Sequence, residues 1–167
     1  MCKCNKYRDD KLHHECGVLG IYGVDDAAGL AYYGLHALQH RGQQGCGIVT
    51  VDPTGEFHRV KGDGLVNEVF NEQKITKLPG RMAIGHVRYS NAGCKGTENI
   101  QPFLFHHNSG DFAMANNGQI VNYNQLREEL EDKGSLFQSS SDAEVLAHLI
   151  KKQGVDKDLP RINAIKD

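Results

Sequence analysis

The sequence predicts an α+β fold built on antiparallel sheet. Apolar segments follow one another as strand, helix, hairpin, helix, strands, helix, helix, without the regular βαβ alternation that a doubly wound sheet requires. Asp52-Pro-Thr-Gly stands between two short apolar runs and reads as a hairpin turn, which joins antiparallel neighbours. The chain has 167 residues, 39% hydrophobic and 24% charged, a balance that supports one ordinary core and argues against disorder.

Each element has a local reason. Cys16-Gly-Val-Leu-Gly-Ile-Tyr-Gly is short, Gly-flanked and β-branched, hence a strand. Asp25 and Asp26 offer an N-cap, and Leu30, Tyr33, Ala37 and Leu38 recur at helical spacing up to Arg41-Gly42. Gly47-Ile-Val-Thr-Val is a strand, and Glu56 to Lys61 returns as its hairpin partner. Val66, Val69, Phe70 and Ile75 suggest one short helix before Pro79-Gly80. Met82-Ala-Ile-Gly-His-Val-Arg-Tyr is a strand that enters a Gly-rich loop, Asn91 to Gly96. Phe103-Leu-Phe and Phe112-Ala-Met-Ala flank a turn at Asn108-Ser-Gly. A helix through Leu126 and Leu130 stops at Gly134. Ser141-Asp-Ala-Glu144 reads as a capping box for a final helix through Val145, Leu146, Leu149 and Ile150, ending at Lys151-Lys152. Asp158-Leu-Pro160 could start one more helix, so the end at Asp167 reads as an interruption.

Composition removes several function classes. No run of about 18 apolar residues exists, which excludes a membrane-spanning helix. A net charge of −2 gives no polyanion-binding signal, so nucleic acid is not an expected partner. Cys2, Cys4, Cys16, Cys46 and Cys94 are odd in number and scattered, and Met1 to Glu15 lacks the apolar centre of a secretory signal. A reducing, cytoplasmic compartment is therefore expected. Cys2, Cys4, His13, His14 and Cys16 are only superficially zinc-like, since their spacing fits no standard structural zinc pattern.

Cys16 is the leading chemical candidate. A cysteine at the head of an apolar strand is ordinarily a small buried hydrophobe. Here fifteen polar residues precede it. Cutting the Glu15–Cys16 bond would give Cys16 a free α-amine, whose unperturbed pKa near 8 lets it serve as the thiol's own base. Residues 1–15 are thus expected to be a removable leader, and 16–167 the functional domain.

Five motifs in order, Cys16-Gly-Val-Leu-Gly-Ile, His40-Arg-Gly-Gln-Gln, Gly85-His-Val-Arg-Tyr, Asn117-Gly118 and Ser140-Ser-Asp-Ala-Glu144, resemble the class II glutamine amidotransferases. These are N-terminal-nucleophile enzymes, and the wording around His40 is most similar to the amidophosphoribosyltransferase branch. The resemblance implies a four-layer αββα sandwich with antiparallel sheets, incomplete at the C-terminus. It implies glutamine hydrolysis to glutamate and ammonia through a Cys16 thioester. In longer relatives the ammonia goes to 5-phosphoribosyl pyrophosphate, giving phosphoribosylamine for purine synthesis. The alternatives are an inactive gene fragment and a class II glutaminase with another acceptor.

The resemblance also assigns roles. Arg88 would grip the glutamine carboxylate, a surface ion pair being its structural alternative. Asp142 would take the ammonium, or simply be an acid in a helix's first turn. Asn117 and Gly118 would form an oxyanion hole, where losing one donor costs ~3–4 kcal/mol of barrier, or else an ordinary Asn-Gly turn. Arg41 is a secondary site residue or a helix cap. His86 shares a strand face with Arg88 and is read as structural. Asn91 stands where the family often has a small hydroxyl residue, and Asn116 where it commonly has histidine. No cofactor or metal is expected in this chain. The Mg2+ dependence and 4Fe-4S cluster of full-length relatives, their homo-oligomers and their phosphoribosyl pyrophosphate site are implied to lie in regions beyond it.

Overall fold

The computed structural model describes residues 16–89, 96–108 and 110–156. The leader, Asn91, Cys94 and the Pro160 segment lie outside the described residues. The chain divides into two compact units, Met1–Gly118 and Gln119–Asp167.

In the first unit, β1 (Gly17–Tyr22), β2 (Gly45–Val51), β3 (Phe57–Asp63) and β4 (Met82–Arg88) form a four-stranded sheet in the order β1-β4-β2-β3. Every pairing is antiparallel. The β2–β3 turn is built by Asp52, whose Oδ1 accepts from the Thr54 and Glu56 N–H groups at 2.8 and 3.0 Å, an Asx-type arrangement that fixes the register Val51↔Phe57. A separate two-stranded sheet pairs β5 (Phe103–Phe105) with β6 (Phe112–Met114). The predicted α+β class with antiparallel sheet is what the chain forms.

The helix α1 (Ala27–Ala37) starts as expected, with the Asp26 carboxylate accepting from the Gly29 N–H at 3.1 Å. Its buried face differs from the predicted one. Ala27, Ala28, Ala31 and Leu35 are buried, whereas Leu30 and Tyr33 are 46% and 70% exposed. The reason is close approach. A Cβ on Gly34 would stand 2.5 Å from Leu19 Cδ2, and one on Gly85 would stand 3.0 Å from Leu35 Cδ1. Small residues face the sheet so that Leu19 and Leu35 can fill the seam. The helix also ends at Ala37, and Gln39–Arg41 continues as a single 3-10 turn.

The segment after β3 forms two one-turn helices, α2 (Val66–Val69) and α3 (Glu72–Ile75), in place of one. Phe70 is extended (φ −106°, ψ 137°) and Asn71 caps α3 through the Lys74 N–H, so the turn restarts. Val66, Val69, Phe70 and Leu78 join the core formed by α1, Cys46, Ile48, Ala83 and Val87.

In the second unit, α4 (Tyr123–Asp132) closes at Gly134, φ +89°. The Ser135 and Gly134 N–H groups donate to the Leu130 and Glu131 carbonyls, both at 2.9 Å, which is a Schellman motif. The last helix, α5 (Asp142–Asp156), runs past the expected stop at Lys152. Its cap also departs from the predicted box. Ser141 Oγ accepts from the Ala143 N–H at 3.3 Å. Glu144 reaches beyond Ser141, to the Gln138 and Ser139 N–H groups at 2.8 and 2.7 Å. Among the described residues no helix is long and apolar enough to cross a membrane.

Candidate active site

The site begins at the head of β1. Among the described residues β1 pairs only with β4, in the register Gly17↔Val87, which brings the residue before Gly17 to the C-terminal end of β4. Cys16 stands there half-buried, and its Sγ meets the backbone of Tyr89 twice. The Tyr89 N–H donates to Sγ at 3.3 Å, and the Tyr89 carbonyl lies 3.4 Å from it as the thiol's acceptor. A thiolate keeps the first contact and loses the second.

Two arginines flank this cysteine. Arg41 Nε donates to the Cys16 carbonyl at 3.2 Å, so Arg41 holds the main chain of the nucleophile candidate. Arg41 is also the last residue of the 3-10 turn, with Gly42 as its C-cap. The adjacent Gly42 is extended at φ −157°, and a Cβ there would stand 2.6 Å from the Arg88 carbonyl carbon. Gly42 thus lets the turn lie against the end of β4. Arg88 is half-buried. Burial pulls its pKa down, and the neighbouring Cys16, Asp63 and Glu98 act in the opposite sense, Cys16 most strongly. One of its guanidinium nitrogens reaches the Gly96 carbonyl at 3.4 Å. Arg88 is therefore set half-buried at the end of β4, with Cys16 among its electrostatic neighbours.

His86 lies on the same face of β4, fully buried, with no hydrogen-bond partner of ordinary geometry on either ring nitrogen. Burial pushes its pKa down to about 4, opposed by the nearby Asn116 backbone. It is a neutral, interior histidine at pH 7. Cys46, the other described cysteine, is buried on the helix side of β2, and desolvation raises its thiol to about 12. Of the two, only Cys16 has the exposure a nucleophile needs.

Asn117 and Gly118 follow β6 in an irregular, exposed stretch of the first unit. A Cβ on Gly118 would meet nothing within 4 Å, so its surroundings are open. An Asn-Gly hairpin turn does not form here, because no strand follows before α4. Asp142 belongs to the second unit. It is the first residue of α5, and its Oδ2 accepts from the Ile120 N–H at 2.8 Å. Cys16, Arg41 and Arg88 are thus gathered at one place. Asn117 and Gly118 share their unit, Asp142 is in the other unit, and Asn91 is outside the described residues.

Sequence reasoning missed Tyr89 and Gly42, because both act through peptide backbone. It also missed the one described group able to hold a metal, Asp52, Glu56 and His58 at the β2–β3 hairpin. There Asp52 is already engaged by the turn and by His58 Nε2 at 3.0 Å.

Comparison with known proteins places the chain in a family. The profile of the glutamine amidotransferase domain family matches residues 71–165. An amidophosphoribosyltransferase of Lacticaseibacillus casei is 52% identical over 143 residues, which is 85% of this chain and 73% of that protein. This chain belongs to the glutamine amidotransferase domain family. Within it, the amidophosphoribosyltransferases are its relatives. The Bacillus subtilis enzyme is 55% identical over 86% of this chain and 30% of its own length. Amidophosphoribosyltransferase 1 of Arabidopsis thaliana is 54% identical over 87% of this chain and 26% of its own length. The chain therefore spans under a third of those two relatives. Solved structures agree. A structure described as the allosteric regulatory enzyme of purine biosynthesis superposes with TM-score 0.83 at 51% identity, covering 89% of this chain and 31% of that one. The B. subtilis glutamine phosphoribosylpyrophosphate amidotransferase, complexed with ADP and GMP, gives 0.81 at 49% identity over the same shares. The resemblance seen in the five motifs is a family membership, and the amidotransferase domain here has its relatives' fold.

Proposed function

We propose that this chain is the glutamine-hydrolysing part of an amidophosphoribosyltransferase, with Cys16 as its nucleophile. The observation that carries the reading is the Cys16 thiol held by the Tyr89 N–H at 3.3 Å, with Arg88 as its electrostatic neighbour.

Removal of residues 1–15 gives Cys16 a free α-amine, which takes the thiol proton. The thiolate attacks the side-chain amide carbon of glutamine, and the carbonyl oxygen becomes an oxyanion facing the Asn117 amide and the Gly118 N–H. Collapse breaks the C–N bond, and the α-ammonium returns its proton to the leaving ammonia. Water then attacks the thioester, giving glutamate and the free thiol. Arg88 binds the substrate carboxylate and Asp142 its ammonium, each through charge-assisted hydrogen bonds. Asn91 adds a polar contact to the same substrate. The ammonia is destined for 5-phosphoribosyl pyrophosphate bound by residues beyond this chain, in the cytoplasm.

Intact mass after exposure to a glutamine-like diazoketone tests this. The expected product lacks Met1 to Glu15 and carries one adduct, on Cys16. A full-length mass without adduct would mean that the chain is inactive as it stands.

A further inference from the structure

We propose that Gln101 is a positioning residue for Asn117 and Gly118. The inference rests on the oxyanion-hole reading above and adds the residue that holds it in place.

The β5–β6 ladder ends at the pair Phe103↔Met114. Beyond Met114 the chain leaves its partner strand, so its amides need other acceptors. The Asn116 N–H finds one in a side chain, donating to Gln101 Oε1 at 2.7 Å. This tie lies one residue before Asn117.

Gln101 is itself fixed. It is 6% exposed, between the buried Ile100 and Pro102. Its own carbonyl lies against β2, where a Cβ on Gly47 would stand 2.5 Å from the Gln101 oxygen and 3.1 Å from Pro102 Cδ. Lys61 Nζ, from β3, donates to the Ile100 carbonyl at 3.0 Å and lies over the Phe103 ring. The backbone on either side of Gln101 is thus bound to the four-stranded sheet, the same sheet that carries Cys16 and Arg88. Through Gln101 that sheet sets the position of the Asn116 peptide. His86 lies beside the Asn116 backbone as a neutral, buried wall.

Oxyanion donors act only when preorganised, and an error of about 1 Å costs on the order of 100-fold in rate. A Gln101→Met substitution keeps the length of the side chain and removes the acceptor. In the matured chain, residues 16–167, it is expected to lower kcat for glutamine hydrolysis about 10- to 100-fold, with KM changed less than about threefold. Alkylation of Cys16 by iodoacetamide, which develops no oxyanion, is expected to stay within about twofold of the parent. Gln101→Glu, which keeps an acceptor, is expected to recover most of kcat.

An unchanged kcat in Gln101→Met overturns the proposal. So does an equal fall in hydrolysis and alkylation, which marks a general packing role. If the parent chain is alkylated at Cys16 and hydrolyses nothing, the functional reading fails separately. Gln101 is then judged by amide hydrogen exchange, where Gln101→Met is expected to speed exchange at Asn116 about 10-fold or more. Equal exchange in the two chains overturns the tie itself.

Discussion

Cys16 and Cys46 are both thiols in the first unit, and their surroundings set opposite fates. Cys46 is wholly buried, with its thiol raised to about 12, whereas Cys16 is half-buried and touches an N–H donor. Brief treatment of the native chain with iodoacetamide is expected to label Cys16 and spare Cys46 until the chain unfolds, as peptide mass mapping would show. Equal labelling would contradict the burial of Cys46. Arg88 allows a second prediction on substrate binding. Arg88→Lys keeps the charge and removes the planar fork, so KM for glutamine should rise about 10-fold or more with a smaller change in kcat. A fall in kcat with KM unchanged would place Arg88 outside the carboxylate site.

The elements were legible where one residue type decides the outcome. Asp52-Pro-Thr-Gly announced its hairpin, Gly134 its helix end, and Asp26 its cap, because each supplies a specific backbone conformation or acceptor. The buried face of α1 was not legible. Periodicity counts bulk, and here the inward residues are Ala27, Ala28 and Ala31, small because the helix lies close to β1 and β4. Ala31→Leu is therefore expected to destabilise the fold by about 1–3 kcal/mol through overpacking. Leu30→Ala, on the half-exposed side, should cost less than about 1 kcal/mol. Denaturant titration of both variants checks the assignment, and the reverse order would restore the face that periodicity suggested. The site had the same division. The resemblance carried by the five motifs picked out Cys16, Arg41 and Arg88; the β1–β4 register brings Cys16 to the end of β4, and the 3-10 turn after α1 brings Arg41 to the Cys16 carbonyl. Nothing in the motifs foretold the Tyr89 peptide or the Gln101 side chain, whose roles depend on where the backbone passes.

For the molecule as a whole, acid sensitivity follows from His86 and Asp52. His86 has its folded pKa lowered from 6.5 to about 4 by burial. Below pH 6.5 the unfolded chain takes up a proton that the folded chain refuses, so stability is fully present above pH 6.5 and falls toward pH 4. The loss between pH 7 and pH 5 is about 2 kcal/mol from this residue. Asp52 acts lower down. Hydrogen bonds from Thr54 and His58 hold its carboxyl below the usual carboxylate range, so its contribution persists above about pH 4 and fades as pH falls further. Guanidinium titrations at pH 7 and pH 5 should show the His86 loss in the parent and a flatter dependence in His86→Gln. The same slope in both chains would remove His86 as the cause.

The two contacts of the Cys16 sulfur at Tyr89 are both to main-chain groups. Every amino acid except proline carries that N–H, and all carry that carbonyl. These two contacts are thus inherited with the path of the backbone at the end of β4 and do not depend on which side chain stands at position 89. A lineage could exchange the ring at position 89, and with it whatever the ring touches, while the Cys16 sulfur keeps these two contacts. Only proline is barred there, for want of a hydrogen.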